Sequence, residues 1–208
     1  MPNALCRRRK TCRLCGSEDL ALAIQLAPTP PANAFVDDPA TQQATYPLDV
    51  FFCNACTHVQ LLDVVDPREL FENYVYVSGT SPVFVDHFKR YATQLMRAYA
   101  PTPARTTQVL DIGSNDGTLL SCFKDLGCTV LGVDPARDIA EAATARGIPT
   151  IADFFNIDVA TQLRAEHGAF DVITANNVFA HADDLDGIAA GIASLLADDG
   201  VFVFEVSY

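Results

Sequence analysis

Cys12-Arg-Leu-Cys15 and Cys53-Asn-Ala-Cys56 set two thiol pairs, each with two residues between, near the front of a 208-residue chain. A C-x2-C pair bends into a tight knuckle, and two knuckles present four thiolates to one tetrahedral zinc ion. The stretch between the pairs, residues 16–52, holds 37 residues, longer than the roughly 15 to 20 of a compact ribbon. Loop closure costs grow only logarithmically with length, so an insert such as the Pro-rich segment 28–33 is tolerable. His58 follows the second pair and is a substitute ligand in principle, although four thiolates already complete the shell. A closed shell keeps no open coordination position, so the expected zinc is structural. The competing reading of Cys12, Cys15, Cys53 and Cys56 is four unmetallated buried thiols.

Asp111-Ile-Gly-Ser-Asn-Asp-Gly117 is the second constellation. Gly113 permits a tight turn and Gly117 lets a following helix approach a sheet, which opens a crevice where such sheets bind ligands. Asp134 ends the next strand pattern, near the spacing at which an acid receives ribose hydroxyls. A dinucleotide loop reads G-x-G-x-x-G so that backbone can approach a pyrophosphate. Here Asn115 stands at the middle glycine and Asp116 adds a negative charge, which repels an anion but not a cationic nucleoside such as S-adenosylmethionine. Asp111 and Asp134 also suit ordinary helix capping. Asp153 and Phe154, after a third short strand, are candidates for an adenine edge and face, or Asp153 is a plain loop acid. The segment Asn176-Asn-Val-Phe-Ala-His181 ends a fourth strand at the same edge. Asn176 or Asn177 then reaches the cofactor and His181 the substrate, unless His181 is structural.

These residues need a sheet to hold them. Strand patterns at 108–112, 129–133, 150–151, 170–175 and 201–205 alternate with helical patterns at 118–126, 136–146 and 185–196, the last expected to stop at Gly200. Strands alternating with helices imply parallel pairing and a doubly wound α/β sheet. Cys122 and Cys128 flank the first of those helices and read as packing residues. Phe84, Phe88, Tyr91, Leu95 and Tyr99 recur at helical spacing and form one packing face. Pro82 suits that helix's first turn, and the Pro101–Thr107 stretch reads as a linker. Strand-like runs at 48–53 and 58–62 complete the front. The expected domains are a zinc-binding domain over 1–66, a helical connector over 67–105 and a cofactor-binding domain over 106–208.

The charge balance of 14 bases to 26 acids gives a net of −12, and five of the bases lie within the first 13 residues. A body that acidic lacks the basic stripe nucleic-acid binding needs. No run approaches the roughly 18 to 20 apolar residues of a membrane span, and the basic start at Arg7-Arg8-Arg9-Lys10 precedes no signal-type apolar core. Seven cysteines, an odd number without a secretion signal, argue for reduced thiols. A soluble, cytoplasmic protein is expected, with no membrane or nucleic-acid partner.

Taken together, the paired knuckles, the GSNDG loop and the NNVFAH segment resemble the zinc-containing C-methyltransferases of deoxysugar biosynthesis. The resemblance runs from Cys12 to Tyr208. It implies a Rossmann-like class I methyltransferase sheet preceded by a small zinc-binding domain and a helical segment. It also implies zinc on Cys12, Cys15, Cys53 and Cys56, S-adenosylmethionine on Asp111, Gly113, Ser114, Asn115 and Gly117, and the ribose on Asp134. Tyr74-Val-Tyr76 and His181 match segments lining the family's nucleotide-sugar pocket. Family members continue for about as many residues again, so this chain is expected to be incomplete after the fifth strand. Its principal base is then expected outside the chain, and apolar strand edges favour self-association.

The implied reaction is C-methylation beside the ketone of a nucleotide-linked 4-keto-6-deoxysugar. A base removes the α-proton, and the enolate attacks the sulfonium methyl, with His181 or Tyr76 orienting the sugar. The alternatives are a non-catalytic zinc- and S-adenosylmethionine-binding fragment, a zinc-ribbon nucleic-acid binder disfavoured by charge, and a nicotinamide enzyme disfavoured by Asn115-Asp116.

Overall fold

The computed structural model of the chain describes residues 5–72, 74–99 and 105–206. It divides into two compact units, Met1–Val75 and Tyr76–Tyr208. The first is built from short strands: β1 (Cys6–Arg8), β2 (Leu20–Ile24), β3 (Val50–Cys53), β4 (Val59–Leu61) and β5 (Asp63–Val65), followed by one short helix, α1 (Pro67–Phe71). β2, β3 and β4 form an antiparallel sheet, and β1 pairs antiparallel with β5. Asp66 caps α1 by accepting from the Arg68 N–H at 3.0 Å, with Pro67 at the first helical position where its missing N–H costs nothing. Among the described residues of this unit, Cys12, Cys53, Tyr46, Phe51 and Leu62 are the buried apolar ones.

The second unit opens with a 3-10 turn, Ser78–Thr80, and the long helix α2 (Pro82–Tyr99). Then β6 (Gln108–Ile112), α3 (Thr118–Asp125), β7 (Thr129–Val133), α4 (Arg137–Ala145) and β8 (Thr150–Ile151) follow in alternation. After them come α5 (Ile157–His167), β9 (Phe170–Asn176), a 3-10 turn Phe179–His181, α6 (Leu185–Leu195) and β10 (Leu196–Glu205). The five strands run parallel in the order β10-β9-β6-β7-β8. The chain winds outward from β6 through β7 to β8, then returns to β9 on the other side. The connections leaving the carboxyl ends of β6 and β9 therefore run to opposite faces, to α3 and to α6, which is the switch point where such sheets open a ligand crevice.

Alternate strand residues feed two cores. Val109, Val130 and Val172 pack with Phe88, Ala92 and Leu95 of α2 and with Leu119, Leu120 and Phe123 of α3. Leu110, Ile112, Leu131, Val133 and Ile173 pack on the other face against Val159, Ala160 and Leu163 of α5 and Ile192 and Leu195 of α6. Cys128 belongs to the first of these cores, with Cys122 packed at its margin.

Several expectations need correction. Residues 67–105 are not one helical zone: 74–77 and 81 carry no helix, because the β-branched and aromatic run ahead of Ser-Gly-Thr-Ser-Pro favours extended backbone. The α2 face buries Phe88 and Leu95, whereas Phe84 and Tyr99 at the two ends stay 37% and 49% exposed. α5 had no sequence expectation; Asn156 caps it by accepting from the N–H groups of Asp158 and Val159, both at 2.9 Å. α6 stops at Leu195 rather than at Gly200, and residues 196–200 enter β10 through a register shift against β9. The Pro101–Thr107 linker lies mostly outside the described residues.

Candidate functional site

In the first unit the two knuckles close alike. The Gly16 N–H donates to the Cys12 carbonyl at 2.9 Å and the Thr57 N–H to the Cys53 carbonyl at 2.8 Å. Each turn ends on a left-handed residue, Gly16 at φ +74° and Thr57 at φ +64°. This brings Cys12 Sγ within 3.7 Å of Cys56 Sγ and Cys15 Sγ within 3.6 Å of Cys53 Sγ. All four sulfurs lie within 4.8 Å of one another. Sulfurs held about 2.3 Å from one tetrahedral ion sit about 3.8 Å apart, so the donor set fits zinc without rearrangement. His58 is not in this cluster; its carbonyl instead accepts from the Cys53 N–H at 2.9 Å.

Crowding divides the thiols. Cys12, despite its desolvation, is drawn down to about 6 by the backbone N–H groups of Cys15 and Leu14 and by Gln60 and Cys56. The His58 backbone favours the Cys56 thiolate, but desolvation and the other three sulfurs outweigh it and push Cys56 up to about 12. Thiolates gathered this closely repel one another, so the cluster favours a cation that neutralises them.

In the second unit the GSNDG loop joins β6 to α3 at the carboxyl edge. Gly113 and Gly117 hold φ of +68° and +74°, and a Cβ on Gly117 would come within 2.8 Å of Ile148 Cγ2. Asn115 is also left-handed, at φ +50°. Its backbone N–H donates to Asp134 Oδ2 at 2.7 Å, its Nδ2 to the Tyr76 carbonyl at 2.9 Å, and its Oδ1 accepts from the Ser78 N–H at 2.9 Å. Asn115 thus staples the 76–78 segment to the loop. Asp116 points away from the open edge: its Oδ1 accepts from Thr118 Oγ1 at 2.7 Å, and Arg146 contacts both its carboxylate and its carbonyl. A side chain on Gly79 would strike Asp116 Oδ2 at 2.6 Å.

The two strand-end acids are buried. Asp111 is 4% exposed and accepts from Thr174 Oγ1 at 2.6 Å. Burial pushes its carboxyl up to about 7, against the Thr174 hydrogen bond and with help from the Asp134 charge. Asp134, 6% exposed, is likewise raised by burial although it accepts from the Ala136 and Asn115 N–H groups. Neither acid is paired with a cation among the described residues. Ser114 Oγ and Asn176 Nδ2 are buried with no hydrogen-bond partner. Asp153 is exposed and accepts from the Phe154 N–H at 2.7 Å, with the Phe154 ring half-buried. Tyr76 and His181 are exposed, one before α2 and the other in the 3-10 turn after β9.

Two family models cover most of the chain: a domain described as zinc-binding over residues 12–71, and a methyltransferase domain over residues 84–207. The chain belongs to the methyltransferase domain family. This methyltransferase-family chain is 33% identical over 199 residues to the C-methyltransferase NovU of Streptomyces niveus, which covers 95% of the chain and 47% of NovU. It is 32% identical over 123 residues to nocamycin O-methyltransferase of Saccharothrix syringae, covering 56% of the chain and 42% of that protein. The chain thus spans less than half the length of these relatives. The PH0226 protein of Pyrococcus horikoshii OT3 shares its fold, at TM-score 0.50 and 20% identity over 64% of this chain and 58% of that one. No helix of the described residues is long and apolar enough to cross a membrane.

Three polar residues beside the crevice carried no expectation of a site role. His87 Nε2 lies 2.9 Å from Glu205 Oε2, and Tyr91 Oη donates to Asn176 Oδ1 at 3.2 Å. Burial, and then the nearby Asp111 charge, push the Tyr91 hydroxyl well above its ordinary value. The spacing of four between His87 and Tyr91 on α2 was the available signal. It was submerged in the apolar period of the same helix.

Proposed function

We propose that the second unit binds S-adenosylmethionine and that the chain serves C-methylation of a nucleotide-linked 4-keto-deoxysugar. The reading rests chiefly on two buried acids, Asp111 and Asp134, at neighbouring strand ends with no cation beside them among the described residues. Such a crevice favours a ligand that brings its own positive charge. The orphaned Asn176 Nδ2, at the end of β9, fits a polar ligand in the same place. When bound, S-adenosylmethionine supplies an electrophilic methyl group. Likeness to a C-methyltransferase across nearly the whole chain supports carbon as the acceptor.

In this reading Asp134 receives the ribose hydroxyls with lone pairs left over from its two backbone bonds, since a carboxylate has about four acceptor sites. Gly113 keeps the loop backbone free of a Cβ, Ser114 and Asn115 shape its floor, and Asp116 and Gly117 anchor it to α3. Asn176 faces the ligand from β9, while Asp153 and Phe154 flank the adenine. Asp111 provides negative charge under the donor end. Tyr76 and His181 orient the keto sugar as its α-proton leaves. Cys12, Cys15, Cys53 and Cys56 hold a zinc ion that fastens the first unit and takes no part in bond making.

Calorimetric titration with S-adenosylmethionine, S-adenosylhomocysteine and NADH tests this. Heat with the first two and none with NADH is expected. Heat with NADH alone, or with none at millimolar dose, overturns the reading.

A further inference from the structure

Val172, Thr174 and Asn176 alternate onto one face of β9, and Val172 packs there in the same core as Phe88 and Leu95 of α2. On β6, Asp111 is in register with Thr174 and accepts from its Oγ1 at 2.6 Å. Helix α2 adds Tyr91 to this row. Its ring packs against the same core, and its hydroxyl donates to Asn176 Oδ1 at 3.2 Å. Burial, and then the Asp111 charge, hold the proton on that hydroxyl, so Tyr91 is the donor. An asparagine amide has an acceptor at one end and two donors at the other. With Oδ1 engaged, Nδ2 is the end left over, and it is buried with no partner among the described residues. Buried donors are seldom left so, and this one points to an acceptor that a ligand brings.

We propose that Tyr91 is a positioning residue, which fixes the Asn176 amide so that Nδ2 donates to the carboxylate at the amino-acid end of the cofactor. This rests on the functional reading above. An amino-acid end carries an ammonium and a carboxylate on one carbon, so its site needs negative charge for one and a donor for the other. Asp111 supplies the charge and Asn176 the donor. Tyr91 adjoins both, close enough to Asp111 to feel its charge and hydrogen-bonded to Asn176. Tyr91 itself touches no ligand atom in this arrangement. Without its hydroxyl the amide is free to turn and to offer Oδ1, an acceptor, to the carboxylate.

Calorimetric titration with two ligands isolates this contact from the rest of the site. One is S-adenosylhomocysteine, and the other is S-adenosyl-3-thiopropylamine, the same molecule without the carboxylate. The unaltered protein should bind the second about tenfold more weakly, the size of a hydrogen bond to a charged group. Tyr91→Phe, which keeps the ring, should weaken S-adenosylhomocysteine about fivefold and leave the amine ligand within about twofold of its normal affinity. Asn176→Asp, of the same size, sets a negative charge against the carboxylate. It should weaken S-adenosylhomocysteine about 100-fold and spare the amine ligand. Tyr91→Phe added to Asn176→Ala should weaken binding no further. Equal affinity of the unaltered protein for the two ligands overturns the proposal, as does equal loss of both ligands in either variant. Normal S-adenosylhomocysteine binding by Tyr91→Phe overturns it too, as does loss of the fold in that variant, read from its ligand-free melting curve. Each of these results leaves the functional reading standing. Failure of the unaltered protein to bind S-adenosylhomocysteine sinks the functional reading and this proposal together.

Discussion

The backbone N–H of Asn115 donates to Asp134 Oδ2 at 2.7 Å, so the loop leaving β6 is tied to the acid that ends β7. The same carboxylate accepts from the Ala136 N–H at 2.8 Å and so also sets the approach to α4. One acid holds both sides of the crevice in place, which suits it to position a ligand through whichever lone pairs remain.

Asp134→Ala should therefore weaken S-adenosylhomocysteine binding about tenfold or more, since hydrogen bonds to a charged group contribute roughly 1.5 to 3 kcal/mol. Calorimetry of the variant beside the unaltered chain measures it. An unchanged affinity would leave Asp134 as a loop brace only.

Gly113 and Gly117 should tolerate alanine poorly, for different reasons. At Gly117 the left-handed backbone and the 2.8 Å approach to Ile148 both oppose a Cβ, costing about 1 to 3 kcal/mol, seen as a lowered melting temperature. At Gly113 the new methyl would collide with Val178, which begins the turn leading to His181. Gly113→Ala should lose cofactor affinity as well as stability.

Asp111 makes stability depend on pH in a direction opposite to most carboxylates. Its folded value is pushed up to about 7, above the roughly 3.9 of an unfolded aspartate. Between those values the folded chain keeps a proton that the unfolded chain releases. Its contribution is therefore undiminished below about pH 4, lost progressively as pH rises, and lowest above about 7. Asp111→Asn should raise the melting temperature of the ligand-free protein at pH 8 and change it little at pH 4. Thermal scans across that range would reveal a wrong sign at once.

The thiol cluster should bind one zinc per chain, measurable by atomic absorption. Chelation, or Cys53→Ser, should lower the melting temperature of the first unit, because the buried apolar residues described there are few and include Cys12 and Cys53 themselves. Metal-free protein that melts unchanged would argue for four plain thiols.

Much of this was legible in the chain. The strands at 108–112, 129–133 and 150–151 coincide with their expected ranges because short β-branched runs bounded by glycine and acid have few other homes. The thiol pairs announce their partner because two-residue spacing is itself the geometry of a knuckle. By contrast, α5 is not legible in the chain, since its apolar face is weakly periodic and its start depends on the Asn156 cap. α6 ends before the stop signal that Gly200 offers, because pairing of Leu196 with Phe170 pulls the chain out of the helix first.

Residue order alone determined the zinc ligands, the crevice loop and the α/β winding, since each is encoded over a few neighbouring positions. Only tertiary structure decided that Asp116 turns inward to Thr118 and Arg146, that Asn115 staples residues 76–78, and that His87 meets Glu205 from 118 positions away. Those outcomes depend on which strand ends lie side by side and which helix crosses them, and local spacing carries no information about either.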